Sequence, residues 1–154
     1  GDWSSDVCSS DLRSAARAAV AQVADPTAAA PILMAALADA DSAVRLVAAA
    51  RLRQLGPAAT PAAKTLAATL ADSNIDVAEA AGEALLRIGS SAVDPLAEQL
   101  GASNPAARKL AMICLAKLGP VAKPAAAAIA KCRQDSDSQI RELAETTLKR
   151  LEVK

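Results

Sequence analysis

Residues 56–88 read GPAATPAAKTLAATLADSNIDVAEAAGEALLRI, and residues 119–151 read GPVAKPAAAAIAKCRQDSDSQIRELAETTLKRL. The two run in register at an offset of 63 without a gap. Gly56-Pro57 answers Gly119-Pro120, Pro61 answers Pro124, Leu66 answers Ile129, and Asp72-Ser73 answers Asp135-Ser136. Val77, Leu85 and Ile88 answer Ile140, Leu148 and Leu151. Gly89 stands 33 residues after Gly56 and 30 before Gly119, so the interval holds two units of about 30 to 33 residues. A fixed period of this length is the signature of stacked repeats.

Each unit carries two apolar stretches at helical spacing. In the second, Val44, Val47, Ala48, Leu52 and Leu55 form one stripe of an amphipathic helix. The stripe recurs as Val77, Ala80, Ala81, Leu85 and Ile88, then as Ala107, Leu110, Ala111, Leu115 and Leu118, and again as Ile140, Leu143, Ala144, Leu148 and Leu151. Asp41, Asn74, Asn104 and Asp137 stand three residues before each stripe, where a short side-chain oxygen accepts the free amides of a first helical turn. Gly56, Gly89 and Gly119 follow three of the stripes as left-handed caps, and Pro57 and Pro120 then block continuation. The first stretches contain Leu33 and Leu37, Leu66 and Leu70, Leu96 and Leu100, and Ile129. Arg133 stands where the other units have leucine, and neighbouring Cys132 is expected to cover that gap. Abundant alanine favours helix and close inter-helix packing. No stretch alternates with period two.

Upstream, Arg13 to Val23 aligns with Arg45 to Leu55 at an offset of 32, as the second helix of an earlier unit. Residues 2–12, DWSSDVCSSDL, show no periodicity and resemble the conceptual translation of a sequencing-library adapter, so the natural sequence is expected to begin near Arg13. The expected organisation is a non-natural segment 1–12 and one domain, 13–154. That domain comprises a partial repeat 13–25 and repeats at about 26–56, 57–89, 90–119 and 120–152, nine helices in all. No secretion signal is visible, which carries no information if the true start lies upstream; the compartment stays open.

Short helix pairs with D-x-x-[VI]-R opening the second helix resemble HEAT repeats, particularly the compact bacterial kind. The resemblance covers roughly residues 13–152 and rests on Asp41 to Arg45, Asn104 to Arg108 and Asp137 to Arg141. The unit 57–89 departs from it, with Ala78 where arginine is expected. Armadillo repeats usually need a third helix, and tetratricopeptide repeats need aromatic positions that are missing here. The resemblance implies an all-α, right-handed α-α superhelix of about four and a half repeats. It also implies a polar ladder in which an aspartate six residues before the arginine links neighbouring units. Asp39 with Arg45 and Asp135 with Arg141 fit that pattern, whereas Asp72 faces Ala78 and Arg108 faces Ala102. A bridge between Asp72 and Arg108 is therefore expected to satisfy the two unmatched groups.

A helix pair this short buries its apolar stripe only by stacking on neighbours. The product is an extended surface lined by second helices, suited to a peptide, a helix or another domain. The expected function is a non-catalytic scaffold for a protein or peptide partner. Near the ends of the second helices, Arg53, Arg87, Lys117, Lys149 and Arg150 mark a candidate basic band, which would favour an acidic partner. The competing explanation is that cations at helix C-termini offset the helix dipole, worth roughly 0.3–1 kcal/mol each.

Composition narrows the other classes. The whole chain balances 17 basic against 17 acidic residues, but Asp2, Asp6 and Asp11 lie in the adapter-like segment, leaving a net charge of +3. That is far from the bias of a dedicated nucleic-acid binder. Beyond Trp3 the chain has no aromatic residue, and it has no histidine. HEAT-like iron hydroxylases need His-Glu ligand pairs, and HEAT-like DNA glycosylases need aromatic side chains, so neither resemblance extends here. Zinc held by Cys and His alone is disfavoured, with only Cys114 and Cys132 outside the first segment and no CxxC. No cofactor, metal site or catalytic set is implied, and no uncharged run is long enough for a membrane span. The leading enzyme-class alternative is resemblance to bilin lyases and related chromophore-handling proteins, in which Cys114 or Cys132 would assist a tetrapyrrole.

Overall fold

The computed structural model describes residues 26–152, so the adapter-like segment and the partial repeat 13–25 lie outside the described residues. Among them are eight α-helices in four antiparallel pairs and no strand. The pairs are α1 (Pro26–Ala36) with α2 (Ser42–Leu55), and α3 (Ala63–Thr69) with α4 (Ile75–Ile88). They continue as α5 (Val93–Gln99) with α6 (Pro105–Leu118), and α7 (Ala126–Lys131) with α8 (Ser138–Glu152).

All four expected N-caps form. Asp41 and Asn104 each accept from the backbone two residues on at 2.9 Å, Asn74 accepts from Asp76 N and Val77 N, and Asp137 accepts from Gln139 N at 2.8 Å. The glycines are positive in φ as anticipated, at 56°, 81° and 60°. Their ψ values of −127°, −129° and −133°, however, are not those of a left-handed helical cap. They match the first central residue of a type II′ turn, the mirror image of a conformation common for L-residues. The next helix does not begin at once. Gly56–Ala62 and Gly119–Ala125 wind as 3-10 turns around Pro61 and Pro124, whose missing amides interrupt an α-ladder. Unit three has no proline there and needs only Gly89–Ala92, which accounts for its shorter period.

The four stripes converge on one continuous core. Val44, Val77, Ala107 and Ile140 are buried at equivalent places, and Ala48, Ala81, Ala111 and Ala144 are each wholly inaccessible. A methyl side chain at that register lets adjacent helices approach closely without leaving a void. Where Arg133 stands in place of leucine, the chain tightens into the 3-10 turn Cys132–Gln134. Arg133 swings outward and Cys132 is buried in its stead. Successive second helices, 14 or 15 residues long, pack on one another more extensively than the shorter first helices do.

The run Pro105–Gln134 is apolar enough by composition to cross a bilayer. It is not one helix, because the chain turns at Gly119 between α6 and α7. With 14 residues, α6 is about 21 Å long, short of a hydrocarbon core of about 30 Å.

Candidate functional site

Between units, the fold is fastened by arginine at the start of a second helix. Arg45 forks onto Asp72, Nε donating to Oδ2 at 2.7 Å and Nη2 to Oδ1 at 2.9 Å. Arg108 does the same to Asp135 at 2.8 and 3.0 Å. These side chains are only 9–14% exposed, so the bidentate pairs are shielded from water. Each aspartate also accepts an amide two residues on, from Asn74 or Asp137. The arginine beside each carboxyl holds its pKa below the usual range, against the opposing effect of burial.

The expected bridge between Asp72 and Arg108 does not form. Arginine of one unit reaches forward 27 residues to the acid of the next, so Asp72 turns towards the first unit and Arg108 towards the fourth. Nor do carboxylates make the six-residue pairs. Arg45 Nη1 donates to the carbonyl oxygens of Asp39 and Ala40, and Arg141 Nη1 to those of Asp135 and Ser136. Arg108 makes the same pair of bonds to Ala102 and Ser103, which is why its unit tolerates alanine in place of the acid. Between the second and third units both halves of the clamp are missing together: buried Ala78 replaces the arginine and half-buried Ala102 the aspartate. Cys114 Sγ lies 3.8 Å from the Gly82 carbonyl oxygen, and a Cβ built on Gly82 would stand 3.2 Å from that sulfur.

The basic band lies on exposed positions near the ends of the second helices. Arg53 and Arg87 are brought together, lining with Gln54 an open cleft of about 320 Å³. Lys117, Lys149 and Arg150 occupy corresponding exposed places on α6 and α8. Arg53 is not free of partners, since it forms an ion pair with Glu83 across α2 and α4. From sequence, Glu83 reads as a solvated surface carboxylate; it stands 30 residues after Arg53, out of register with the 33-residue offset between these two units, so the period does not join them. A further cleft of about 430 Å³ opens between α6 and α8, with half-buried Ile113 and Leu143 beside Lys109 and Glu142. On the first-helix side, two clefts of about 320 and 300 Å³ repeat at the 63-residue offset, one beside Leu37, Thr65 and Asp72, the other beside Leu100, Ala128 and Asp135.

Both described cysteines are buried and unpaired. Burial pushes the Cys114 thiol up to about 11 and raises that of Cys132, so neither is poised as a thiolate at neutral pH.

None of the curated proteins matches the chain. Among solved structures, a chain from work on TOG–tubulin binding specificity, microtubule dynamics and mitotic spindle formation is similar at TM-score 0.62 and 16% identity, covering 79% of this chain and 59% of that one. A designed armadillo repeat protein in complex with the peptide (KR)4 is similar at TM-score 0.52 and 19% identity, with 80% and 64% covered. An engineered protein is similar at TM-score 0.50 and 22% identity, with 80% and 62% covered. The chain thus spans about three fifths of the length of these structures, and the likeness concerns the fold. The family described as HEAT repeats matches residues 62–149, more than half of the sequence. Those residues hold the second unit's first helix through most of α8, and the chain belongs to the HEAT-repeat family.

Proposed function

We propose that this chain is a non-catalytic scaffold that holds a protein or peptide partner on the face formed by its second helices. An acidic segment of the partner would lie along Arg53, Arg87, Lys117, Lys149 and Arg150. The observation that carries this reading is the cleft shared by Arg53 and Arg87, which sets two guanidiniums beside one opening. Guanidinium forks suit carboxylates, and helix stacks offer wide surfaces in place of deep pockets. Two similar structures come from work on protein or peptide binding, one on TOG–tubulin specificity and one holding the basic peptide (KR)4. The band of this chain is basic, so the complementary peptide here is acidic.

Arg87→Glu combined with Lys117→Glu should weaken binding of a fluorescein-labelled octaglutamate peptide at least tenfold in anisotropy titrations. The loss should shrink as salt rises and the Debye length falls to about 8 Å and below. Unchanged affinity at low salt would remove the band from the interface. Against the tetrapyrrole-handling alternative weigh the burial of Cys114 and Cys132 and the raised pKa of both thiols.

A further inference from the structure

Glu83 occupies a particular place relative to the Arg53–Arg87 cleft. Its carboxylate is paired with Arg53 of the preceding unit, and it stands four residues before Arg87 on α4, the spacing at which glutamate and a following cation face one another. Glu83 thus pairs with one guanidinium of the cleft and stands one helical turn before the other on the same helix. All three residues are exposed: the Arg53 and Glu83 side chains are 45% and 54% accessible, in contrast to the shielded clamps of Arg45 and Arg108. Among the described residues Arg87 makes no ion pair of its own, and Gln54 adds an amide to the same wall.

We infer that Glu83 is a built-in competitor for this cleft: its carboxylate holds the Arg53 guanidinium through Nη1 in the place a partner's carboxylate takes, and binding exchanges one for the other. The inference rests on the acidic-partner reading above and names its central subsite, a carboxylate pocket of Arg53, Gln54 and Arg87 that takes a glutamate or aspartate side chain. An exposed ion pair contributes little to folding, so it gives way without destabilising the stack. The clamp aspartates Asp72 and Asp135 cannot exchange in this manner, because each is held by an arginine fork and a backbone amide away from water. Glu83 thereby sets how acidic a partner must be: a weakly charged segment does not displace it, and a dense run of carboxylates does.

The test titrates labelled octaglutamate, with octaglutamine as control, into the unmodified chain and into Glu83→Gln, Arg53→Gln and Arg87→Gln. Helical circular dichroism and melting temperature are recorded for each variant, and all are expected to stay near the parent values. Glu83→Gln should tighten octaglutamate binding about fivefold, the equivalent of about 1 kcal/mol, and leave octaglutamine unaffected. Arg53→Gln and Arg87→Gln should each weaken it. If the parent binds octaglutamate and Glu83→Gln is unchanged or weaker, the competitor role is overturned while the acidic-partner reading stands. If neither the parent nor Glu83→Gln binds octaglutamate more tightly than octaglutamine, both fall together.

Discussion

At Gly56, Gly89 and Gly119 the backbone adopts positive φ with ψ near −130°, a region where a side chain is strained whether or not space exists. Gly89 separates strain from crowding, because nothing lies within 4 Å of where its Cβ would stand. Gly89→Ala should cost about 1–3 kcal/mol in urea unfolding. Gly89→Asn should not recover the loss, since asparagine tolerates the left-handed helical region and not this one. The clamp residues make a second contrast. Asp135→Ala removes the acceptor of two arginine bonds and one amide bond, and should cost about 1–3 kcal/mol. Arg141→Ala should be close to silent by the same measurement, because its side chain is exposed and its bonds run only to two carbonyls of its own unit.

Helices α4 and α6 meet where the Arg–Asp clamp is missing. Gly82 is buried in the middle of α4, a position where glycine weakens a helix by roughly 1 kcal/mol relative to alanine. A methyl there would stand 3.2 Å from the Cys114 sulfur, which must shift by a few tenths of an ångström to admit it. Gly82→Ala alone should therefore fail to stabilise, and Cys114→Ala alone should leave a small void. Together they should be non-additive, the pair more stable than the sum of the single changes predicts by at least 0.5 kcal/mol. Additivity in a double-mutant cycle would show that the sulfur yields freely and that glycine is not required by this contact.

Across the described residues, two clamps fasten the first unit to the second and the third to the fourth, while the central seam has apolar contact and the exposed Lys64–Glu98 pair. Acid should act on the clamps in a defined direction. The carboxyls of Asp72 and Asp135 titrate below their ordinary range in the folded chain. Their contribution is complete above about pH 4, the unfolded value, and is lost as pH falls through the lower folded value. The melting temperature should be level near neutrality and drop below about pH 4. Asp72→Asn with Asp135→Asn should start lower and fall less steeply; equal slopes for parent and variant would place the acid sensitivity elsewhere. The last second helix also differs from the others on its outward side. Glu145 stands where Ala49, Gly82 and Met112 are buried in the preceding units, so α8 offers a polar flank in place of an apolar seam.

Period, helix faces and cap positions were legible in the chain itself, since each depends on residues within a few positions of one another. The recurrence of Val44, Val77, Ala107 and Ile140 announced one buried seam, and Asp41, Asn74, Asn104 and Asp137 announced the helix starts. What spacing cannot express is which way a long side chain reaches. Arg45 and Arg108 lie on helical surfaces from which a guanidinium can extend towards either neighbouring unit. Only the stacking geometry selected Asp72 over Asp39 for Arg45, and Asp135 over Asp72 for Arg108. The same holds for Glu83, which reads locally as a solvated carboxylate and becomes a partner of Arg53 once α2 and α4 are side by side. Local periodicity thus determined that the chain forms stacked helix pairs, while the charged contacts between units were decided by packing, because their partners are set by distance in space and not by distance along the chain.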